Sequence, residues 1–515
     1  MATYNFAGLI RNSADRFPSK LALITSNVSL TYKELASRVN QAGNLFLDYG
    51  VRAGDRVSIL FVNDYRFFEL CFGLMSIGAI PVPMNAKLGT DTLAYVYNNS
   101  GSKLIIYHEE LRDKAQILIK QEQIDDHFVC ANSAVDHWEY DYDTKLANQS
   151  DELELYAAQG KDICFLPYTS GSTGNPKGCR LTHEGQLWNV QTMSELRGID
   201  ESDRVLISLP LYHKNAMGTL KSVFYTGASA VILPRVDPAQ IVRAIDQYSC
   251  TYMTGVPAMY RMIVNYLKEH HGAHLKSLRF GICGSSDTPK ELLDDIRALL
   301  HIPIYEGYGL TEGGPVVLES RATHFRLGSA GIPVPGCRIR IVDEQGIDVS
   351  FGTVGELWVS NPGITDGYWN LPEVTAKRIT ADGWLKTGDV VWQDEDDFVY
   401  IVGRKDDMIN VGGENVYPKE VENILLKHPL VADVCVLPMQ HELKGEVPIA
   451  FIISSPEGQV DEEELKAYFI SRGPAYAHPR KIFYIDAFPL TGPGKLDRPQ
   501  LKKQLEQLLT TKGEI

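Results

Sequence analysis

None of the eight cysteines (positions 71, 130, 164, 179, 250, 283, 337 and 435) sits in a CxxC pair or beside a histidine cluster. Thiols scattered in this way make neither a disulfide framework nor a zinc site, and they imply reduced cysteines in a cytoplasmic protein. A basic excess is also missing: 50 Lys and Arg against 65 Asp and Glu leave a formal charge of −15. That balance excludes nucleic acid as a partner, because no cationic surplus exists to neutralise phosphates. The longest apolar run, over residues 70–84, is interrupted by Ser76, Gly78 and two prolines. It is too short to span a bilayer, so no membrane span is expected. Residues 1–13 show no cationic segment followed by an apolar one, so no secretory leader is expected either. Asn27-Val28-Ser29 and Asn148-Gln149-Ser150 match the glycosylation pattern but carry no weight without secretion. Internal repeats and low-complexity segments are absent as well.

What is present is an ordinary globular composition, 44% hydrophobic and 22% charged, on a chain of 515 residues. That length exceeds one compact core and implies roughly two to four domains. Arg56-Val57-Ser58-Ile59-Leu60-Phe61-Val62 reads as a buried strand with a helical stretch behind it over 65–77. The pattern recurs at residues 103–107, 205–209, 230–233 and 278–282. Apolar β-branched runs alternating with helices predict α/β sheets covered on both faces. Shorter strands at 338–342, 355–359 and 398–402, joined by Gly, Asp and Pro turns, predict a β-rich subdomain. Beyond Lys405, helices over 418–427 and 461–471 and strands over 431–437 and 447–453 predict a small α+β domain. The expected boundary is the charged turn Gly403-Arg404-Lys405-Asp406-Asp407. It divides a large N-terminal domain, 1–403, made of two α/β subdomains plus the β-rich one, from a C-terminal domain, 404–515.

Five glycine-rich blocks carry the chemistry. The first is Tyr168-Thr169-Ser170-Gly171-Ser172-Thr173-Gly174-Asn175-Pro176-Lys177-Gly178. Its glycines let the backbone bend around an anion, and it presents N–H groups, hydroxyls and a lysine to a polyphosphate. It is not a Walker A loop, which needs Gly where Pro176 stands and Ser or Thr where Gly178 stands. In isolation it reads equally well as a surface turn. The second, Tyr305-Glu306-Gly307-Tyr308-Gly309-Leu310-Thr311-Glu312-Gly313-Gly314-Pro315, joins aromatics able to stack on a base to a hydroxyl and a carboxylate. The third, Asp382-Gly383-Trp384-Leu385-Lys386-Thr387-Gly388-Asp389, ends in a carboxylate able to accept from a ribose diol. An isolated Thr-Gly-Asp is nonetheless more often a turn than a site. The fourth couples the 403–407 turn to Val411-Gly412-Gly413-Glu414-Asn415-Val416-Tyr417-Pro418. The fifth is Pro489-Leu490-Thr491-Gly492-Pro493-Gly494-Lys495-Leu496-Asp497-Arg498.

Singly these blocks are weak; in this order coincidence is negligible. From Ser29-Leu30-Thr31-Tyr32-Lys33-Glu34-Leu35 to Arg498, the set resembles the adenylate-forming superfamily of acyl-CoA synthetases, peptide-synthetase adenylation domains and firefly-type luciferases. The Gly-Gly-Glu-Asn at 412–415 looks most like the acyl- and aryl-CoA ligase version of that loop. The resemblance implies an AMP-forming ligase that uses ATP, Mg²⁺ and coenzyme A. A fatty or aromatic carboxylic acid would be activated as acyl-AMP and passed to the CoA thiol. Loading of the acid onto a carrier protein is the alternative, and a non-catalytic nucleotide-binding protein is a further one. The stretch after Leu211 lacks the acidic residue that pairs with an α-ammonium, which disfavours an amino acid.

Site roles follow from the same resemblance. It implies that Thr169, Ser170, Gly171, Ser172, Thr173, Gly174 and Lys177 hold the β- and γ-phosphates. Glu312 would help to hold Mg²⁺, with Thr311 bonding the α-phosphate region. Glu306, Gly307 and Tyr308 would lie against adenine, with Gly284 and Ser285 along its other edge. Asp389 and Arg404 would hold the ribose hydroxyls. Lys495 would bridge the carboxylate and the α-phosphate during adenylation. The C-terminal domain would be mobile, turning at Asp406, and Gly412 with Gly413 would then line the pantetheine tunnel. His213, in Leu209-Pro210-Leu211-Tyr212-His213, matches a gating position beside the acyl site, with a core histidine as the competing reading. Cys283 reads as a packed thiol rather than a nucleophile, and His183 reads as structural. The acyl pocket would draw on residues 213–220, 254–260, 281–285 and 308–317, mostly apolar segments.

Three departures from the family pattern stand out. Gly284-Ser285-Ser286 replaces the usual Gly-Gly-Ala, adding hydroxyls near the base. Pro493 stands where Ser or Thr usually precedes Gly-Lys, which removes a donor and stiffens the loop. Asp287-Thr288 replaces the common Pro-Leu, with no consequence that the sequence discloses.

Overall fold

The computed structural model describes residues 4–130, 140–169, 175–270, 275–284, 288–314, 316–321, 323–441, 443–489 and 496–511. The chain packs as two units, residues 1–339 with 359–386, and residues 340–358 with 387–515. Among the described residues no helix is long and apolar enough to cross a membrane.

The first unit contains two sheets with parallel cores, as the alternating apolar runs predict. One has five parallel strands in the order Ile80–Met84, Arg56–Leu60, Ser102–His108, His127–Cys130 and Tyr140–Asp141. The other has nine strands. Its parallel centre runs Ile304–Tyr308, Phe280–Gly284, Tyr252–Gly255, Arg204–Ile207, Ser229–Ile232 and Leu21–Ile24, and antiparallel strands flank it on both sides. The strands predicted for this unit are all present, displaced by one or two residues at their ends.

The helix Arg66–Ser76 is buried along its whole length. Its contact with Tyr32–Asp48 is close enough to require glycine, since a Cβ on Gly73 would meet Ala42 Cβ at 2.6 Å and Gly43 N at 3.1 Å. Thr31 and Glu34 form a capping box at the start of Tyr32–Asp48. The 29–35 stretch thus combines a local cap with a distant anchor, since the buried Tyr32 hydroxyl donates to Val223 O at 2.9 Å and Ala228 O at 2.7 Å.

His183 is structural, as the sequence reading has it. Its Nδ1 accepts the Phe6 backbone N–H at 2.9 Å, which ties the N-terminal segment to the helix His183–Arg197. Burial pushes its imidazole from the ordinary 6.5 down to about 4. A depressed folded value costs nothing above the unfolded value; destabilisation grows as pH falls from the unfolded value to the folded one and is complete below it. Between pH 6.5 and 4 the protein is expected to lose up to ~3 kcal/mol through this group. Urea midpoints of the wild type and His183→Asn, measured at pH 7 and pH 5, should converge toward acid.

The second unit holds most of a four-stranded sheet in the order Arg338–Val342, Gly355–Ser360, Leu385–Gln393 and Val399–Arg404. Thr387 Oγ1 donates to Leu357 O at 2.6 Å within it, and Lys405 reaches Glu356 at 3.2 Å. The expected boundary at 403/404 thus falls inside this unit, at the end of its fourth strand. Next comes a five-stranded sheet in the order Glu414–Val416, Ile409–Val411, Gly445–Ser454 and Val431–His441, with Ile482–Tyr484 parallel to Gly445–Ser454. The helices Pro418–Leu425, Glu462–Ile470 and Arg498–Thr511 complete it. Asp461 caps the second of these by accepting from Glu463 N and Glu464 N.

Candidate active site

In the first unit the parallel strands end together. Gly255 lies in register with Cys283, and Gly284 with Gly307. The carboxyl edge of a parallel sheet is where α/β folds gather ligand groups. A Cβ at 284 would stand 3.4 Å from Gly307 O and 3.6 Å from Asn215 Nδ2, ordinary contact distances that bring these residues together without demanding glycine. Glu306 accepts the Thr288 backbone N–H at 3.3 Å, which fixes the segment after Phe280–Gly284. Ser285 lies outside the described residues.

His213 precedes the helix Lys214–Thr226, and its N–H bonds Pro210 O at 3.0 Å. The next two residues tie this helix start to the strand ends. Lys214 Nζ donates to Gly309 O, just past Tyr308. Asn215 donates to Gly255 O at 3.3 Å and accepts from the Thr254 hydroxyl. The structure therefore brings the His213 segment, Gly255, Gly284 and the 307–309 turn into one cluster, although the motifs that carry them lie far apart in sequence.

Thr169 stands opposite Lys177, and Tyr168 opposite Gly178, in a short antiparallel ladder, so the two described ends of the glycine-rich block lie side by side. Its residues Ser170, Gly171, Ser172, Thr173 and Gly174 lie outside the described residues. The ladder meets Glu312, which sits in the turn Thr311–Gly313. The Thr169 hydroxyl donates to Glu312 Oε1 at 3.2 Å, and the Tyr368 hydroxyl donates to the same oxygen at 3.0 Å. The Tyr368 ring also lies 6.0 Å from Lys177 Nζ. Burial and the Glu312 charge push the Tyr368 phenol far up, so it stays an O–H donor at any working pH. Burial, with Glu312 second, likewise keeps the neighbouring Cys179 a thiol.

Two residues here escape the sequence reading. Tyr368 follows Gly367, whose φ of +121° marks a turn that only glycine takes easily. That Gly-Tyr-Trp block is the signal that could have flagged it. Asn215 carries no local signal; its role depends on strands that arrive later in the chain. Cys283 behaves as read, buried, bonded by the Thr288 hydroxyl at 3.4 Å and pushed up to about 12 by burial.

In the second unit Asp389 and Arg404 are cross-strand partners, with Arg404 Nε 3.7 Å from Asp389 Oδ1. The carboxylate is mostly buried and the guanidinium exposed. Asp406 lies exposed in the one-turn helix Lys405–Asp407. Gly412 and Gly413 form the two-residue turn between Ile409–Val411 and Glu414–Val416, with φ of +65° and +99°. A turn of that hand requires glycine whatever passes nearby. Lys495 lies outside the described residues.

A metal fits the Glu312 corner on chemical grounds. Its donors are hard oxygens, one carboxylate beside the Thr169 hydroxyl. Magnesium at phosphate sites typically takes one or two carboxylates and fills its shell with phosphate oxygens and water. Among the described residues there is no cluster of three or more His, Cys, Asp or Glu that could hold a metal unaided.

The chain is similar to known proteins over nearly its full length. The model of the AMP-binding enzyme family matches residues 10–369, and that of the AMP-binding enzyme C-terminal domain matches 420–495. A feruloyl-CoA synthase from Amycolatopsis is 33% identical over 492 residues, covering 95% of this chain and 96% of that protein. A 2-succinylbenzoate–CoA ligase from Geobacillus is 31% identical, covering 94% and 95%. Among solved structures, an anthranilate CoA ligase in complex with anthranoyl-AMP superposes with a TM-score of 0.90 at 27% identity, covering 99% of both chains. The o-succinylbenzoate CoA synthetase of Bacillus subtilis with AMP gives 0.84 at 29% identity, covering 96% and 98%.

Proposed function

We propose, from the premise that the chain belongs to the AMP-binding enzyme family and is an AMP-forming acyl-CoA ligase, that its acid is a compact aromatic carboxylate. The observation that carries this choice is the near full-length likeness to ligases named for aryl acids. Packing behind the strand ends supports it. A Cβ on Gly255 would meet Met259 Cε at 2.3 Å, and one on Gly281 would meet the Tyr260 hydroxyl at 2.5 Å. On this proposal Met259 and Tyr260, packed against these strands, close the inner end of the acid site and leave room for a short planar acid rather than a long alkyl chain.

On this reading a carboxylate oxygen attacks the α-phosphorus of ATP, pyrophosphate leaves, and acyl-AMP forms. The CoA sulfur then attacks the acyl carbonyl, loses its proton, and expels AMP. The first step brings two anions together, so preorganised donors matter most there. The 169–174 loop and Lys177 hold the outer phosphates, and Thr311 holds the α-phosphate. Glu306, Gly307 and Tyr308 face adenine opposite Gly284 and Ser285. Asp389 and Arg404 take the ribose, and Lys495 bridges the reacting groups. His213 borders the acid, and the C-terminal domain turns at Asp406 between the half-reactions. Glu312 would hold magnesium, which when bound would neutralise charge on the phosphates.

Acid-dependent pyrophosphate release across aryl, fatty and amino acids, with and without CoA, tests the proposal. Aryl acids should give the highest kcat/KM and a CoA thioester. A preference for fatty acids, or acyl-AMP that only a carrier protein can discharge, overturns it.

Tyr368→Phe tests the Glu312 corner. Losing a hydrogen bond to a charged group is worth roughly 1.5–3 kcal/mol, so adenylation is expected to fall about tenfold or more. The magnesium concentration giving half-maximal rate should rise in parallel, while the melting temperature stays close to that of the wild type.

A further inference from the structure

Asn63 lies between the strand Arg56–Leu60 and the helix Arg66–Ser76, and no glycine-rich block includes it. Its side chain nonetheless reaches the other sheet of the same unit. Nδ2 donates to Leu209 O at 2.9 Å and to Leu233 O at 3.0 Å, with Ser208 O at 3.4 Å. Oδ1 accepts the Leu211 N–H at 3.0 Å. Three carbonyls around the nitrogen and one N–H facing the oxygen leave a single sensible amide orientation. One half-buried amide thus holds both sides of the 208–213 loop and ties it to the residue after the strand Ser229–Ile232. That loop ends at His213, whose helix makes the Lys214–Gly309 and Asn215–Gly255 bonds.

The other end of the clamp is rigid. Just ahead of the helix Arg66–Ser76, Asp64 accepts the Arg66 N–H at 2.8 Å and pairs with the Arg66 guanidinium at 3.3 Å. His108 Nε2 stands 3.7 Å from the same carboxylate. Arg66 continues to Asp143 at 2.8 Å, Asp143 to Arg38 at 2.9 Å, and Arg38 to the fully buried Glu69 at 2.5 Å. A largely buried chain of ion pairs is worth little as net stability, but it resists displacement because breaking one link strands a charge. Here it immobilises the residue next to Asn63.

We propose that Asn63 is a positioning residue for the acid: it fixes the 208–213 loop, and with it His213, at the wall of the acid site. The inference rests on the reading that residues 213–220 border the acid. Its distinctive consequence is selectivity between substrates, because the ATP contacts proposed above involve no residue of this loop.

Asn63→Ala and Asn63→Ser test it, with KM for acid and for ATP taken from pyrophosphate release. Hydrogen exchange is followed in peptides over 208–213. The expected result is a rise of about tenfold in KM for the acid in the alanine variant, the scale of one to two lost hydrogen bonds. KM for ATP should stay within about twofold, exchange at 208–213 should quicken, and serine should fall between the two. Equal rises in both KM values would show a general structural role and overturn the proposal, as would faster exchange with an unchanged acid KM. If the wild type itself releases no pyrophosphate with any acid, the ligase reading fails and this inference falls with it. Wild-type activity with unaltered variants overturns the inference alone.

Discussion

Lys495→Ala is expected to slow acyl-AMP formation by on the order of a hundredfold or more, the scale of removing one preorganised donor from a charged transition state. Thioester formation from presynthesised acyl-AMP should persist, because by then the phosphate chemistry is complete. The substitution is a clean test because the segment around it is anchored by other residues. Asp497 N–H bonds Pro489 O at 2.8 Å. Arg498 bonds Val436 O and Glu422, each at 2.7 Å, and Asp497 accepts from Gln500 N at 3.0 Å as the following helix begins. None of these bonds involves the lysine side chain, so the folded state should survive its loss. Rapid-quench assays of the two half-reactions make the comparison. Equal loss in both, with an unchanged melting temperature, would remove Lys495 from its adenylation role.

What the sequence discloses depends on how far apart the partners lie. The strands were legible because each is a local apolar run. Thr31 and Glu34 were legible for the same reason, a cap made over three residues. Tyr368 was not, because its value comes from a carboxylate 56 residues away. Asn63 was less so, with partners 145 to 170 residues on. Spacing along the chain holds no trace of such bonds, since they exist only after two sheets pack. The Gly412-Gly413 pair shows the opposite difficulty. The motif was visible, but two physical causes, a passing substrate and a turn, predict the same glycines.

Gly413→Leu separates those causes when paired with Gly413→Ala. The residue sits at φ +99°, and an added Cβ meets nothing within 4 Å. Any L-residue there pays a backbone strain of about 1–3 kcal/mol, the same for alanine and leucine to a first approximation. The Gly413 N–H bond to Asn410 Oδ1 at 2.9 Å and the Gly412 N–H bond to Lys444 O at 2.9 Å can hold the turn in both variants. Alanine therefore reports the strain, and leucine reports strain plus a branched side chain in the proposed path of the pantetheine arm. If that path is real, Leu should lower CoA thioester formation by on the order of a hundredfold relative to Ala, the cost of displacing reacting groups by an ångström or so. Acid-dependent pyrophosphate release should be equal in the two variants. Single-turnover transfer from acyl-AMP to CoA, beside melting curves for both proteins, makes the comparison. Equal thioester rates in Ala and Leu would leave the glycines as turn residues only.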